Sequence, residues 1–443
     1  MGAWGTHRAQ ADHRPEGDGT VTAESVRTDI DDRIWPGLAD VPAGPRARFL
    51  AAGADRLFRR AAARLAVRVE YPDGSVVGAG DRREILPRMI VRRPDAFAAR
   101  LADGGLIGFG EAYMVGDWTA PDLAAVLTAF AAGVETLVPR PLQRLRRLFV
   151  AAPPARDLGT EQNARSNVAR HYDLSNDLFE LFLDQTMTYS SALFDGEPVG
   201  WDQLANAQRR KIDRLLDAAG VGPGTRLLEI GTGWGELCIR AAQRGANVRS
   251  VTLSAEQQAL ARRRVAEAGH ADSVQVDLLD YRAVEGEYDA IVSVEMIEAV
   301  GHRFWETYFA ALDRLLAPEG TVALQAITMT HDRMLATRDT YTWVHKYIFP
   351  GGCLPSTEAI EAVTSRHTTL RVRELTSLRG HYAETLRLWK DRFAARSADV
   401  AALGFDETFR RMWLFYLAYS EAGFRSGYLD VQQIVFDRGI GPR

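Results

Sequence analysis

The sequence is poor in cysteine. Its 443 residues hold two, Cys238 and Cys353, and their spacing does not suit zinc. A disulfide framework is therefore excluded and a reducing compartment indicated. Long apolar runs are also lacking. No stretch reaches the roughly 18 apolar residues that a membrane-spanning helix needs. The polar opening MGAWGTHRAQADHRPEGDGT lacks the apolar core of a secretory signal. Net charge is −4, too slight for a general nucleic-acid binder. No internal repeat and no metal-ligand cluster is found, so neither nucleic acid nor a metal is expected. These absences point to a cytoplasmic protein, or one attached peripherally to the inner face of the cell membrane.

With 46% hydrophobic and 25% charged residues, the chain has core enough for two domains. It is organised around LLEIGTGWG, residues 227–235. Leu227, Leu228 and Ile230 form the short apolar run of a buried parallel strand. Gly231, Gly233 and Gly235 then let a ligand approach backbone N–H groups where a helix begins. Glu229, two residues before the first glycine, lies within reach of a methionine-like ammonium, and no phosphate-holding Lys-Ser/Thr pair follows. The segment reads as a cradle for S-adenosylmethionine. A nicotinamide or flavin site and a glycine-rich turn without a ligand stay open from this stretch alone.

Residues 1–32 read as a disordered tail. A helix is expected from Pro45 to Phe58 and onward, then a hairpin of residues 65–71 and VVGAG around Pro72-Asp73-Gly74-Ser75, and a strand in 86–93. Gly105, Gly108 and Gly110 are expected to break any long helix, and an amphipathic helix follows near 123–137. This makes a small α+β domain over 33–138. A basic linker, 139–160, carries Arg140, Arg144, Arg146 and Arg147 beside leucines; it suits either anionic lipid or plain solvation. From 161 to 443 strands and helices alternate, with strands expected at 226–230, 247–252, 273–276, 290–294 and 320–326. That alternation predicts a doubly wound α/β domain.

Ligands of such sheets bind at the carboxyl ends of the strands. Thr252, Leu253 and Gln257 could meet a ribose, and Asp280, Tyr281 and Arg282 an adenine edge. Glu295 and Glu298 lie three apart, which on a helix puts them on one face; a carboxylate there is a general base or holds one. Residues 165–194, dense in His171, Tyr172, Asp173, Asn176 and Tyr189, read as a lid or as an amphipathic helix packed on the sheet.

HYDLSNDLFELFLD (171–184), MTYSSALF (187–194), LEIGTGWGELCIRAA (228–242), VTLSAEQ (251–257), VEMIEAVG (294–301) and KYIFPGG (346–352), in that order, resemble the motifs of the cyclopropane-fatty-acid synthase family of S-adenosylmethionine-dependent methyltransferases. RIWP (33–36), GLIGFGEAYM (105–114) and HYAETLRLW (381–389) resemble in particular its actinobacterial branch that makes 10-methylstearic (tuberculostearic) acid. The resemblance implies a Rossmann-like class I methyltransferase domain and a sterol-carrier-like N-terminal domain that presents lipid. It implies that Tyr189, Ser190, Gly231, Gly233, Thr252, Leu253, Gln257 and the Asp280–Arg282 loop contact the cofactor. The family holds a bicarbonate ion as base, and its cradle maps to Ser191, Glu298, Gln325, Ile327 and Tyr382. Ser191 stands where a cysteine is usual and Gln325 where a histidine is usual; a glutamine can donate a hydrogen bond but cannot take up a proton as imidazole does.

The implied reaction is methyl transfer to the double bond of an oleoyl phospholipid. Aromatic faces, with Tyr172, Tyr189 and Tyr382 as candidates, stabilise the resulting cation. The site of proton loss then decides between a methylene and a cyclopropane product. No flavin or nicotinamide site is recognised, so reduction to a methyl branch calls for a separate flavin/NADPH-dependent reductase. A homodimer is left open, and a small-molecule methyltransferase or a non-enzymatic lipid carrier are the competing classes.

Overall fold

The computed structural model describes residues 30–78, 86–133, 175–196 and 199–439. Most of the expected tail, the basic linker, and the first part of the expected lid with His171, Tyr172 and Asp173 lie outside the described residues.

The N-terminal part opens with a helix, Pro45–Ala62, and a four-stranded sheet follows, built from β1 (Arg68–Glu70), β2 (Val76–Val77), β3 (Arg88–Val91) and β4 (Trp118–Thr119) in the order β2-β1-β3-β4. The hairpin of β1 and β2 turns at Gly74, φ 80°, where the Asp73 carboxylate accepts the Ser75 N–H at 2.9 Å. One glycine expectation fails. Gly105 (φ 54°) does separate helix Pro94–Gly104 from helix Leu106–Met114, but Gly108 and Gly110 lie inside the second helix. They serve close approach instead. A Cβ on Gly108 would fall 1.9 Å from the Arg100 carbonyl oxygen, and one on Gly110 would fall 2.5 Å from the Trp343 ring. The helix expected near 123–137 is described over Leu123–Ala132, capped by Asp122, which accepts the Ala125 N–H at 2.9 Å.

The larger sheet has seven strands: β5 (Arg226–Ile230), β6 (Asn247–Thr252), β7 (Val274–Leu278), β8 (Tyr288–Val294), β9 (Leu316–Met329), β10 (Leu370–Ser377) and β11 (Leu429–Arg438). Their order is β10-β11-β9-β8-β5-β6-β7. β5 through β9 run parallel, while β11 is antiparallel to both its neighbours. The order reverses at β5, which is buried on both faces and flanked by β8 and β6; in doubly wound sheets ligands bind beyond the carboxyl end of the strands at such a switch point.

Above that edge lies a cap built from helices Arg379–Ala395 and Glu407–Arg425. Glu407–Arg425 buries residues on most of its circumference, from Thr408 and Phe409 to Phe424, as a helix enclosed by other elements does. On one side Trp413 packs on Phe179 at 6.1 Å and Tyr416 on Phe349 at 5.7 Å; on the other Phe415 receives Tyr113 and Trp343 at ring separations of 5.5 and 4.7 Å. The N-terminal part and the cap thus share one hydrophobic core.

Candidate active site

Gly231, Gly233 and Gly235, at φ 95°, 53° and 90°, form the turn after β5, and helix Glu236–Gln243 starts from it. The Gly231 and Thr232 N–H groups donate to the Val251 carbonyl at 3.0 and 3.3 Å, tying the turn to β6. A Cβ on Gly231 would meet Met296 at 2.5 Å, whereas one on Gly233 would meet nothing within 4 Å. The turn is therefore braced on one side and open on the other, which fits a ligand resting on its backbone. Glu229 is tied into the turn through one oxygen: its Oε2 accepts the Cys238 thiol at 2.7 Å and the Ser250 hydroxyl at 2.6 Å. Burial pushes its pKa up to about 7.

At the end of β6 the Thr252 hydroxyl donates to Gln257 Oε1 at 2.9 Å, and Ser254 accepts the Gln257 N–H, capping helix Ala255–Glu267. Leu253 lies between them. Beyond β7 the Arg282 guanidinium donates to both Asp280 oxygens at 2.9 and 2.6 Å, and Tyr281 packs edge-on against Tyr308. These three loops share the carboxyl edge of the sheet, so the residues expected to take ribose and adenine sit beside the glycine turn.

A cluster of carboxylates lies after β8. Glu295 and Glu298 do not share a helical face as the spacing suggested. Helix Ile297–Val300 begins after Glu295, which sits in the left-handed region at φ 53°, a conformation costing on the order of 1 kcal/mol for a side chain of this kind. Three donors from distant parts of the chain meet its carboxylate. The Ser191 N–H and the Gln325 amide reach Oε1 at 2.9 and 2.8 Å, and the Tyr382 hydroxyl reaches Oε2 at 2.7 Å. Ser191 contributes only its backbone here, since its hydroxyl donates to the Ala192 carbonyl at 3.1 Å. Gln325 is oriented by Gln433, whose amide donates to Gln325 Oε1 at 3.1 Å and to the Lys211 carbonyl at 3.2 Å. Glu298 Oε1 accepts the Ile327 N–H, while its Oε2 is buried without a hydrogen-bond partner among the described residues. Burial, then the charge of Glu295, pushes Glu298 up to about 8; burial raises Glu295 too, against the pull of its three donors.

The expected bicarbonate cradle is thus brought together, but the donors meant for a free ion are spent on Glu295, so these residues do not fit bicarbonate as they stand. Sequence reasoning paired Glu295 with Glu298 as carboxylates that could be a general base or hold one, but left Glu295 out of the cradle. It overlooked Gln433, and Lys211, whose buried ammonium donates to the Ser190 hydroxyl at 2.6 Å and is pushed down to about 8 by burial.

Aromatic rings close the site. The hydroxyls of Tyr189 and Tyr416 are 2.7 Å apart, and the rings of Tyr189 and Tyr382 flank Trp389 at 5.2 and 6.2 Å. Of the expected lid, helix Asn176–Phe182 is described. Asn176 accepts the Trp234 indole N–H at 2.8 Å, and Phe179 packs on the same ring at 4.9 Å, which anchors it over the glycine turn. Tyr172 lies outside the described residues.

The profile of the mycolic acid cyclopropane synthetase family matches residues 160–434. The chain belongs to this family. Among its relatives, the tuberculostearic acid methyltransferase UfaA1 of Mycobacterium tuberculosis is 59% identical over 416 residues, 93% of this chain and 97% of that one. The cyclopropane-fatty-acyl-phospholipid synthase of Escherichia coli is 35% identical over 352 residues, 79% of this chain and 87% of that one. A crystal structure of the mycolic acid cyclopropane synthase CmaA1 complexed with SAH and CTAB matches at TM-score 0.57 and 34% identity, over 61% of this chain and 97% of that one. Like the other members of the synthetase family, this chain has the class I fold of S-adenosylmethionine-dependent methyltransferases and is an enzyme of that kind.

Proposed function

We propose that the enzyme methylates the cis double bond of an oleoyl chain carried by a membrane phospholipid, giving the 10-methylene precursor of 10-methylstearic (tuberculostearic) acid. The observation that carries this reading is the 59% identity with a tuberculostearic acid methyltransferase across 93% of the chain, N-terminal part included. Cyclopropanation is the second reading, favoured by the more distant synthase relative.

When bound, S-adenosylmethionine supplies an electrophilic methyl group. The glycine turn with Tyr189, Ser190, Thr252, Leu253, Gln257 and the Asp280–Arg282 loop would hold it. An alkene is a weak nucleophile, so the residues must align it and keep water away; the rings of Phe179, Trp389, Trp413 and Tyr416 supply that dry wall. Addition at one alkene carbon leaves a positive charge on the other, and the faces of Tyr189 and Tyr382, with Tyr172, would stabilise it. A hydride shift brings the charge to the branched carbon. Loss of a proton from the new branch then leaves a methylene, with Glu295 and Glu298 the carboxylates at hand. Loss before the shift closes a cyclopropane.

Residues 33–138 act in this reading as a lipid-presenting domain and Arg140–Arg147 as a contact to anionic headgroups at the inner membrane face. A separate flavin/NADPH-dependent reductase completes the methyl branch, and a homodimer is the assembly to look for. The test is turnover of purified protein with labelled S-adenosylmethionine on dioleoylphosphatidylglycerol vesicles and on soluble acceptors. A methylene-branched lipid supports the reading; turnover of soluble acceptors alone overturns it.

A further inference from the structure

The carboxylate of Glu295 lies where the chain gathers its anion-binding donors. A backbone N–H from the segment before helix Trp201–Ala218, an amide from β9 and a phenol from the cap converge on it at 2.7–2.9 Å. These groups come from 104, 30 and 87 residues away, so the arrangement is tertiary and not a local turn. A carboxylate has about four acceptor positions. Three are filled here, and the remaining one belongs to Oε2, the oxygen shared with the Tyr382 hydroxyl. The backbone holds this side chain in place at φ 53°. Such outliers persist where the surroundings over-determine them, and they gather at functional sites. Glu298 lacks this support: one backbone N–H reaches Oε1, and Oε2 has no partner among the described residues.

We propose that Glu295 is the enzyme's own resident anion, filling the cradle that a free bicarbonate would occupy, and that its carboxylate is the base that takes the proton from the methylated chain. In that step a C–H bond of the new branch breaks and its electron pair becomes the second bond of the C=C. The proton passes to Oε2 of Glu295, and solvent removes it after product leaves. The net positive charge of the chain cation is cancelled, and no oxidant or reductant is needed. Tyr382, Ser191 and Gln325 are positioning residues that hold the base. The proton step rests on the proposed methyl transfer; the filling of the cradle does not.

The experiment pairs anion binding with turnover in buffer stripped of carbon dioxide, for wild type, Glu295→Gly and Glu295→Gln. Glycine suits φ 53° and opens the cradle, so Glu295→Gly is expected to fold. Added bicarbonate should leave wild-type melting unchanged but raise that of Glu295→Gly saturably, as a ligand of the folded state does. Wild-type turnover should be the same with and without bicarbonate. Both variants should lose about 100-fold or more, the usual scale for a lost general base. Bicarbonate should restore part of that loss in Glu295→Gly, but not in Glu295→Gln, whose amide still fills the cradle. Bicarbonate stabilising the wild type, wild-type turnover falling when it is stripped, or Glu295→Gln retaining turnover would each overturn the proposal. If no lipid is methylated by any form, the proposed substrate fails, and the melting arm still decides whether Glu295 fills the cradle.

Discussion

At the residue scale, two carboxylates three positions apart are both raised by burial but are held by different partners. Three donors steady the charge on Glu295, and that charge pushes Glu298 further up, to about 8. A carboxyl with a raised pKa keeps its proton in the folded chain where the unfolded chain has lost it. Its contribution to stability is whole below the ordinary carboxyl range and is lost as pH rises through about 8. Glu298→Gln should therefore flatten the fall in urea-unfolding free energy between about pH 5 and 8, by roughly 1–3 kcal/mol; an unchanged slope would contradict the assignment. Calorimetry should find its cofactor affinity intact, and it should lose less turnover than Glu295→Gln, because a glutamine imitates a neutral acid. Gly231→Ala should act on the other half of the site. A methyl group 2.5 Å from Met296 at φ 95° must displace the turn, so cofactor affinity should fall at least about tenfold, a cost of roughly 1.4 kcal/mol. Motif order made Ser191, Gln325, Ile327 and Tyr382 legible in the sequence. The role of Glu295 was not, because it depends on three donors that only the folded chain assembles.

At the scale of elements, periodicity and turn chemistry served well where an element is decided locally. The expected strands at 226–230 and 247–252 coincide with β5 and β6, and the Asp73-Gly74 turn makes its hairpin. β10 and β11 went unrecognised. β10 is an edge strand whose side chains are mostly exposed or half-buried, so it lacks a core stripe, and β11 follows an aromatic helix that dominates the pattern around it. The glycines of Leu106–Met114 mislead for a related reason: their use is contact with other elements, which spacing does not reveal. Gly108→Ala places a methyl group 1.9 Å from the Arg100 carbonyl oxygen. It should destabilise the protein by about 1–3 kcal/mol despite alanine's better helix propensity, as measured by denaturant midpoint. A gain in stability would show that the two helices can move apart freely.

At the scale of the whole molecule, the division into two domains expected from length meets a continuous core. Phe109, Tyr113 and Trp118 of the N-terminal part pack on Phe415 of the cap, the Trp35 indole donates to Asp406 at 2.7 Å, and Glu111 accepts from the Tyr347 hydroxyl at 2.7 Å. Parts joined by a shared apolar core unfold together, so calorimetry should show one transition. A chain from which the N-terminal part is deleted should expose the cap's Phe415 face and aggregate. The same continuity carries the functional account, since the relative that suggests the product matches both parts of the chain. The most direct test of that account is mass spectrometry of fatty acids from cells that lack such enzymes, express this protein alone and are fed methionine with a trideuterated methyl group. The account predicts a methylene-branched chain at carbon 10 that keeps two of the three deuteriums, one having left as the proton taken by the site. A cyclopropane, a migrated alkene keeping all three deuteriums, or no labelled lipid would contradict it.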